Sequence, residues 1–243
     1  MNFLYYGPGF GYGFYFDPTY YLVLIGAVLS ILASLKVKST YAKYAKVSSY
    51  SGLTGAMAAE RILRQAGIYD VTIEHVRGNL TDHYDSRSKV LRLSDTVYGS
   101  SSVAAIGVAA HECGHAIQDH KSYAPLKLRA ALVPVANFGA TLSWPLILFG
   151  VLMGYSQTLI TIGILMFSAA VLFQLVTLPV EFNASRRALA ILSNNGLLQQ
   201  DEVKKTRKVL TAAALTYVAA AAASILQLLR LILLFGNRGR RND

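Results

Sequence analysis

The sequence predicts a mainly α-helical membrane protein, with about four transmembrane helices and a small α+β part that faces water. Hydrophobic residues make up 53% of the 243 residues, whereas charged residues make up only 15%, a balance typical of integral membrane proteins. Four apolar stretches approach the roughly 20 residues that a helix needs to cross a bilayer. The single cysteine, Cys113, excludes an internal disulfide and a cysteine-rich zinc module.

Residues 1–19 form an N-terminal segment rich in aromatic residues and glycine. The segment has neither the basic start nor the small-residue cleavage site of a signal peptide. Tyrosine and phenylalanine at this density beside a membrane segment are typical of an interfacial anchor, and a low-complexity tail without a specific role is the alternative. The first predicted transmembrane helix covers residues 20–35 and ends before Lys36 and Lys38.

Residues 36–129 have the pattern of a water-facing part. The run SGLTGAMAAERILRQAG predicts a helix with Thr54 near its start and Gly67 at its end. Three short alternating runs, VTIEHV, LTDHY and KVLRLS, predict a small antiparallel sheet. Three consecutive serines then offer N-caps for a helix over residues 103–119, which contains the motif HECGH.

Residues 130–180 predict a hairpin of two transmembrane helices, because the polar turn GYSQ at residues 154–157 separates two apolar runs. Residues 181–208 form a basic segment that follows this hairpin. Residues 209–235 are alanine-rich and predict a fourth transmembrane helix, although weakly apolar alanine also suits a helix packed against protein. Residues 236–243 form a basic tail.

The distribution of lysine and arginine predicts the orientation in the membrane. Most of these residues lie in residues 36–129 and 181–208. The two-helix hairpin separates these segments, so both lie on one side, and the positive-inside rule places that side in the cytoplasm of a cell-membrane protein. The same rule explains the net charge of +10, so we expect a lipid bilayer rather than nucleic acid as the partner. The arginines of the tail disagree with this rule if the fourth segment crosses fully.

The motif HECGH has a spacing with a chemical reason. His111 and His115 are four residues apart, so a helix places both imidazoles on one face. Both can then bind one tetrahedral Zn²⁺ ion, and Glu112 beside them can act as general base toward a zinc-activated water. The alternative is a pair of packed histidines with a surface glutamate. Cys113 points to a different face, and we expect it to pack.

A site of this kind needs a third protein ligand. Glu181 follows the third transmembrane helix and is expected on the HECGH side of the membrane, where a carboxylate completes a two-His, one-Glu set with an open position for water. Alternatively, Glu181 only ends a helix and pairs with a neighbouring arginine. His75, His83 and His120 are then the other candidate ligands.

The runs AAHECGHAIQ and EFNASRRA, separated by two apolar segments, resemble the bacterial membrane neutral zinc metallopeptidases of the YugP-like type. These are similar in plan to HtpX-like membrane proteases, and the resemblance covers nearly the whole chain. It implies a zincin-like cytoplasmic domain that carries the HExxH helix. It also implies a gluzincin site with one zinc ion per chain, bound by His111, His115 and Glu181, and a zinc-dependent metalloendopeptidase acting on membrane-associated or unfolded proteins.

In HtpX-like enzymes the first glutamate of an E-x-E-A-D-x-x-A pattern binds zinc, which assigns that role to Glu181. Two positions depart from the pattern, because Asn183 replaces a glutamate and Ser185 replaces an aspartate. The aspartate would orient a zinc-bound histidine. Ser185, Asn183 and Asp119 are therefore the candidates for orienting the ligands.

The resemblance also predicts substrate-binding groups. An exposed edge strand that holds an extended peptide by β-augmentation is expected at Val90, Leu91, Arg92 and Leu93, and a plain strand covering the motif helix is the alternative. An oxyanion stabiliser is also expected, for which the candidates are His83, Tyr84 and Arg186.

Two classes of function follow from these residues. The first is a membrane-bound zinc endopeptidase with a peptide or protein substrate. The second is a zinc-containing scaffold or chaperone-like membrane protein that binds clients without cleaving them. Glu112 favours the enzyme, because a structural zinc site has no use for a base there. A transporter or channel is disfavoured, because the apolar segments lack paired charges.

Overall fold

The structure, a computed structural model, describes residues 17–236. The predicted aromatic anchor, up to residue 16, and the basic tail, from residue 237, lie outside the described residues. Six helices and a three-stranded sheet occupy the described part: α1 (Tyr20–Tyr44), α2 (Gly55–Gln65), β1 (Thr72–Val76), β2 (His83–Asp85), β3 (Val90–Ser94), α3 (Val103–His120), α4 (Ala124–Leu152), α5 (Gln157–Asn194) and α6 (Gln200–Phe235).

Within residues 17–236, the four helices α1, α4, α5 and α6 are long and apolar enough to cross a membrane. The prediction of a mainly helical protein with four such segments and a small sheet is therefore confirmed. Helix α6 has 36 residues and is about 54 Å long at the α-helical rise. Its last residue, Phe235, accepts a hydrogen bond from Gln157 at 3.3 Å, so α6 extends along the whole bundle to the α4–α5 turn.

An apolar surface covers the long helices. On α1 the exposed large apolar side chains are Leu24, Ile25, Val28, Leu29, Ile31, Leu32 and Leu35, and α4, α5 and α6 carry others. An exposed apolar surface of this extent marks a membrane or protein contact, and helices satisfy their own backbone hydrogen bonds in lipid. On α1 this surface ends where Lys36 begins the polar part of the helix.

Helices α1 and α6 pack in opposite directions. A Cβ on Gly26 would lie only 3.0 Å from Cα of Ala223, so the glycine permits a close crossing. Beyond it, Arg230 on α6 pairs with Asp17 at 3.4 Å and lies over the ring of Tyr20 at 5.3 Å. The carboxyl end of α1 and the amino end of α6 therefore lie together at the opposite end of the bundle.

Local capping interactions position α2 and α3, the two helices of the predicted water-facing part. The side chain of Thr54 accepts a hydrogen bond from the Met57 backbone N–H, and the side chain of Ser102 accepts one from Ala105. These contacts confirm the predicted starts of α2 and α3. Gly67, which follows α2, has a φ of 72°, a conformation that glycine adopts without strain. Helix α3 is buried between α2, α5 and α6.

The sheet is mixed and has the order β1-β3-β2. Strand β1 is parallel to β3, and β2 is antiparallel to β3, so the prediction of an all-antiparallel sheet is wrong for β1. The connection between β1 and β3 contains β2, which pairs with the far side of β3. Alternating apolar residues report which face of a strand is buried but not the direction of its neighbours.

The central position of β3 also corrects the prediction of an exposed edge strand at Val90, Leu91, Arg92 and Leu93. Strand β3 is paired with β1 on one side and with β2 on the other. Both of its backbone edges are occupied, and its two leucines are fully buried. This strand therefore matches the alternative of a plain strand in the sheet, whereas β2 lies at a sheet edge.

Candidate metal centre

Helix α3 carries the HECGH motif on the face that packs against α5. The rings of His111 and His115 have centroids 4.8 Å apart and are nearly perpendicular. Gly114, between them in sequence, lies at the contact with α5, where a Cβ would be 2.6 Å from the carbonyl oxygen of Ala184. The missing side chain lets the two helices approach closely. This approach brings Glu181, on the preceding turn of α5, to the histidines.

The carboxylate of Glu181 is buried and faces both imidazoles. Its Oε2 atom is 3.2 Å from Nε2 of His111 and 3.5 Å from Nε2 of His115. Ligand atoms bound tetrahedrally to zinc at about 2.0–2.1 Å lie about 3.3 Å from one another, so both distances match a zinc site. Among the described residues, these three side chains form a group able to hold a metal ion, with ligand atoms within 4.8 Å of one another.

The three alternative histidine ligands lie outside this group. His75 on β1 pairs with Asp95, with 2.7 Å between Nε2 and Oδ1. Nδ1 of His83 on β2 is 2.9 Å from the carbonyl oxygen of Thr81. His120 is the exposed last residue of α3. The structure thus brings Glu181, rather than another histidine, to the motif.

Gln118, which the sequence analysis did not single out, orients His115. Its Oε1 atom is 3.0 Å from Nδ1 of His115, while its Nε2 donates to the carbonyl oxygen of Val180 at 2.8 Å and to Oδ1 of Asn183 at 3.0 Å. These two acceptors fix the amide orientation, so Oε1 accepts the Nδ1 proton of the imidazole. Nε2 then keeps its lone pair for a metal, which is the usual role of such an outer partner.

The predicted orienting residues Ser185 and Asn183 both lie at the site. The hydroxyl of Ser185 is 3.1 Å from Nδ1 of His111. Asn183 contacts His115 only through Gln118, from which it accepts a hydrogen bond. It accepts a second hydrogen bond from Arg187 at 2.7 Å. Each histidine of the motif therefore has its Nδ1 occupied by a polar side chain.

Asp119 contacts neither histidine, which corrects its assignment as an orienting residue. Its carboxylate accepts a hydrogen bond from the Tyr84 hydroxyl at 2.9 Å and forms an ion pair with Lys89. The physical reason is helical geometry, because each position turns by about 100°. Asp119 therefore faces the sheet, whereas the preceding glutamine faces α5.

Two of the three candidate ligands, His115 and Glu181, line a cavity of about 360 Å³. Glu112 of the motif lines the same cavity, together with β2, the first turns of α4 and Tyr217 of α6. Glu112, which is not one of the three candidate ligands, thus lines the cavity beside His115 and Glu181. This arrangement suits proton transfer to or from a molecule in the cavity.

Arg129 is a second residue that the sequence analysis missed at this site. Its Nη1 atom lies 3.0 Å from Oε1 of Glu181, the carboxylate oxygen that does not face the histidines. The guanidinium therefore balances the buried charge of Glu181, whose Oε1 faces Arg129 while its Oε2 faces the two histidines. A lone arginine at the start of a long apolar helix was the available signal, but sequence spacing cannot place it beside Glu181.

Comparisons with known proteins agree with this geometry. A family described as "Putative neutral zinc metallopeptidase" matches residues 19–236. The chain belongs to this family. A protein of Bacillus subtilis (strain 168) named "Putative membrane protease YugP" is 52% identical over 217 residues, which cover 89% of this chain and 96% of that protein. No solved structure matches the chain.

Membership in the neutral zinc metallopeptidase family confirms the resemblance drawn from the two motifs. The family implies zinc, and the donor set of two imidazole nitrogens and one carboxylate is one that zinc prefers. Cys113 is buried on another face, with its sulfur 3.7 Å from the carbonyl oxygen of Ala59. Burial raises the pKa of its thiol, so this cysteine packs as expected.

The candidate oxyanion stabilisers of this metallopeptidase family member separate into two groups. His83 and Tyr84 line the cavity. Burial raises the pKa of the Tyr84 hydroxyl, and its hydrogen bond to Asp119 raises it further, so the group stays protonated and donates to that carboxylate. Arg186 instead lines a hollow between α5 and α6, so its assignment as an oxyanion stabiliser is corrected. Arg186 lies five helical positions after Glu181, and this spacing turns its side chain well away from the cavity.

Proposed function

We propose that this chain is a membrane-bound zinc metalloendopeptidase whose active site is the cavity beside α3. One observation carries the proposal: His115 and Glu181, which form a possible metal-binding group with His111, line the same cavity as Glu112. A zinc site that is only structural needs no additional carboxylate beside its ligands. Peptide hydrolysis needs such a carboxylate, because a proton must be taken from the attacking water and given to the departing amine.

Each residue has a defined task in this proposal. Nε2 of each motif histidine and Oε2 of Glu181 would hold zinc, while Arg129 keeps that carboxylate in place. Zinc, when bound, supplies Lewis acidity that polarises a peptide carbonyl and lowers the pKa of water toward about 7. Glu112 accepts a proton from the attacking water and delivers it to the amide nitrogen of the leaving group.

In this proposal the substrate backbone binds along the edge strand β2 rather than along the central strand β3. It pairs only with β3 in the sheet, and His83, Tyr84 and Asp85 line the cavity. An extended peptide can add a strand along this edge by backbone hydrogen bonds. Because folded proteins rarely offer an unpaired extended segment, unfolded or membrane-associated chains are the proposed substrates.

His83 and Tyr217 are the proposed donors to the oxyanion, since both line the cavity and carry an N–H or O–H group. Tyr84 is less suited, because its hydroxyl already donates to Asp119. Tyr217 enters from the apolar helix α6, and the sequence analysis did not consider it. Its ring reaches the cavity because α6 packs against α3 and α5.

The proposed active site lies where the membrane meets the cytoplasm. Leu126, Ala130 and Val133 line the cavity from the first turns of α4, a helix apolar enough to cross a membrane. The basic segments that precede and follow the α4–α5 hairpin favour the cytoplasmic side. A substrate held near a bilayer surface would reach this cavity directly.

Zinc content and cleavage, measured on two variants, test the proposal. Elemental analysis of detergent-purified protein should give about one zinc per chain, retained in Glu112→Gln and lost in Glu181→Ala. Cleavage of an unfolded protein such as casein should fall by at least about 10²–10⁴-fold in Glu112→Gln. Glu60→Gln is the matched control, since Glu60 lies on α2 and pairs with Arg64.

Each outcome of this experiment has a distinct meaning. Full zinc in Glu181→Ala would remove Glu181 from the ligand set. Cleavage by Glu112→Gln at the wild-type rate would remove Glu112 as the base. A wild-type protein that holds zinc but cleaves no unfolded substrate would instead support the zinc-containing scaffold.

A further inference from the structure

A second groove lies between α1 and α6, away from the candidate active site, and has a volume of about 430 Å³. Among the residues that the structure describes, no acidic side chain lines it. Four basic side chains face it together with apolar ones on α6: Lys36, Lys43, Arg207, Lys208, Ala212 and Leu215. The groove therefore concentrates positive charge in one place.

The four basic residues have no ion-pair partner within residues 17–236, and all four are exposed. Lys205 on the same helix differs, because it pairs with Asp201 at 2.8 Å. Lys43 makes a different contact, with its ammonium 5.7 Å from the ring centroid of Tyr44. Like charges that share a groove repel one another, so an anion bound between them would be stabilised.

The groove lies at the edge of the apolar surface. On α1 the exposed apolar side chains end at Leu35, immediately before Lys36, and on α6 they begin at Leu215 within the groove itself. One end of the groove is thus cationic, with Lys43, Arg207 and Lys208, and the other end is apolar along Ala212 and Leu215, with Lys36 at its border. A phospholipid has an anionic headgroup next to an apolar acyl chain at the same level of a bilayer. A free anion, in contrast, has no apolar part that could bind the apolar end of the groove.

We propose that this groove binds an anionic phospholipid, with the phosphate among Lys43, Arg207 and Lys208 and an acyl chain along Leu215. Basic pockets between transmembrane helices are suited to acidic headgroups, and a guanidinium can donate two hydrogen bonds to one phosphate. The hollow on the other side of α6 shares Arg207 and contains Arg186, which adds positive charge nearby. The inference does not depend on the proposed peptidase activity.

Native mass spectrometry of the full chain in detergent tests this proposal with three probes: phosphatidylglycerol, phosphatidylcholine and inorganic phosphate. The groove variant combines Lys43→Gln with Lys208→Gln. The control combines Lys38→Gln with Lys204→Gln, which remove the same charge from the same helices at exposed positions outside the groove. Phosphatidylglycerol should bind about 30-fold more weakly to the groove variant and nearly as tightly to the control as to the wild type.

A charge-preserving variant, Lys43→Arg with Lys208→Arg, should bind phosphatidylglycerol like the wild type. Weak binding by this arginine variant would overturn the proposal. Equal losses in the groove and control variants would show a general effect of charge and would also overturn it. Phosphatidylcholine binding as tightly as phosphatidylglycerol, or inorganic phosphate displacing the lipid at equal concentration, would exclude an anionic-lipid site.

Discussion

Replacing Gln118 with leucine tests how His115 is held for a metal. Gln118 is completely buried, accepts from His115 at 3.0 Å and donates to Val180 and Asn183. Leucine fills a similar space but removes all three hydrogen bonds. Loss of such an outer partner costs about 10- to 100-fold in metal affinity, so zinc binding should weaken by about 1.4–2.7 kcal/mol.

A second variant, Gln118→Glu, separates orientation of the ligand from stability of the fold. Its carboxylate can still accept the Nδ1 proton of His115, so zinc should bind nearly as tightly as in the wild type. However, it cannot donate to the carbonyl oxygen of Val180 or to Asn183. Leaving buried polar groups unpaired costs about 1–3 kcal/mol each, so both variants should unfold at a lower temperature.

Zinc affinity is measured by competition with a chromophoric chelator in detergent, below the unfolding temperature of every variant. Thermal unfolding is followed separately by circular dichroism. Wild-type zinc affinity in Gln118→Leu would refute the role of Gln118 in orienting His115. Equal loss of affinity in the leucine and glutamate variants would assign the effect to the fold rather than to the histidine contact.

Three other predictions concern the same helix. Gly114→Ala would place a Cβ 2.6 Å from the Ala184 carbonyl oxygen, so the free energy of unfolding should fall by about 1–3 kcal/mol; an unchanged denaturant midpoint would contradict this contact. Asp119→Asn should leave zinc content unchanged in elemental analysis, because Asp119 contacts β2 and the β2–β3 turn. Burial raises the pKa of the Cys113 thiol, so iodoacetamide at pH 8 should label only unfolded protein, as mass spectrometry can verify; rapid labelling of the native protein would be inconsistent with this packing.

The local features of the fold were predictable because the chain segment that forms them also determines them. The caps at Thr54 and Ser102 need only the next few backbone N–H groups. The four apolar helices need only length and composition. The relation of His111 to His115 needs only the helical period.

Strand order and the outer contacts of the site depend on segments far apart in sequence. The alternation in KVLRLS indicates burial, which Leu91 and Leu93 confirm, but it contains no signal that β1 will pair alongside. Similarly, a carboxylate at position 119 was a reasonable partner for a histidine until the position of α5 was known. One helical step decides that Gln118 faces α5 and Asp119 faces the sheet.

The sequence by itself determined that His111 and His115 share one helix face and how many helices have membrane length, because both features arise within single segments. The tertiary structure decided which Glu181 oxygen faces the histidines, which glutamine orients His115, and that Arg129 and the edge strand β2 border the same cavity. These relations depend on the close approach of α3 to α5 at Gly114. Contacts between residues some 70 positions apart are set by packing, and no local pattern encodes them.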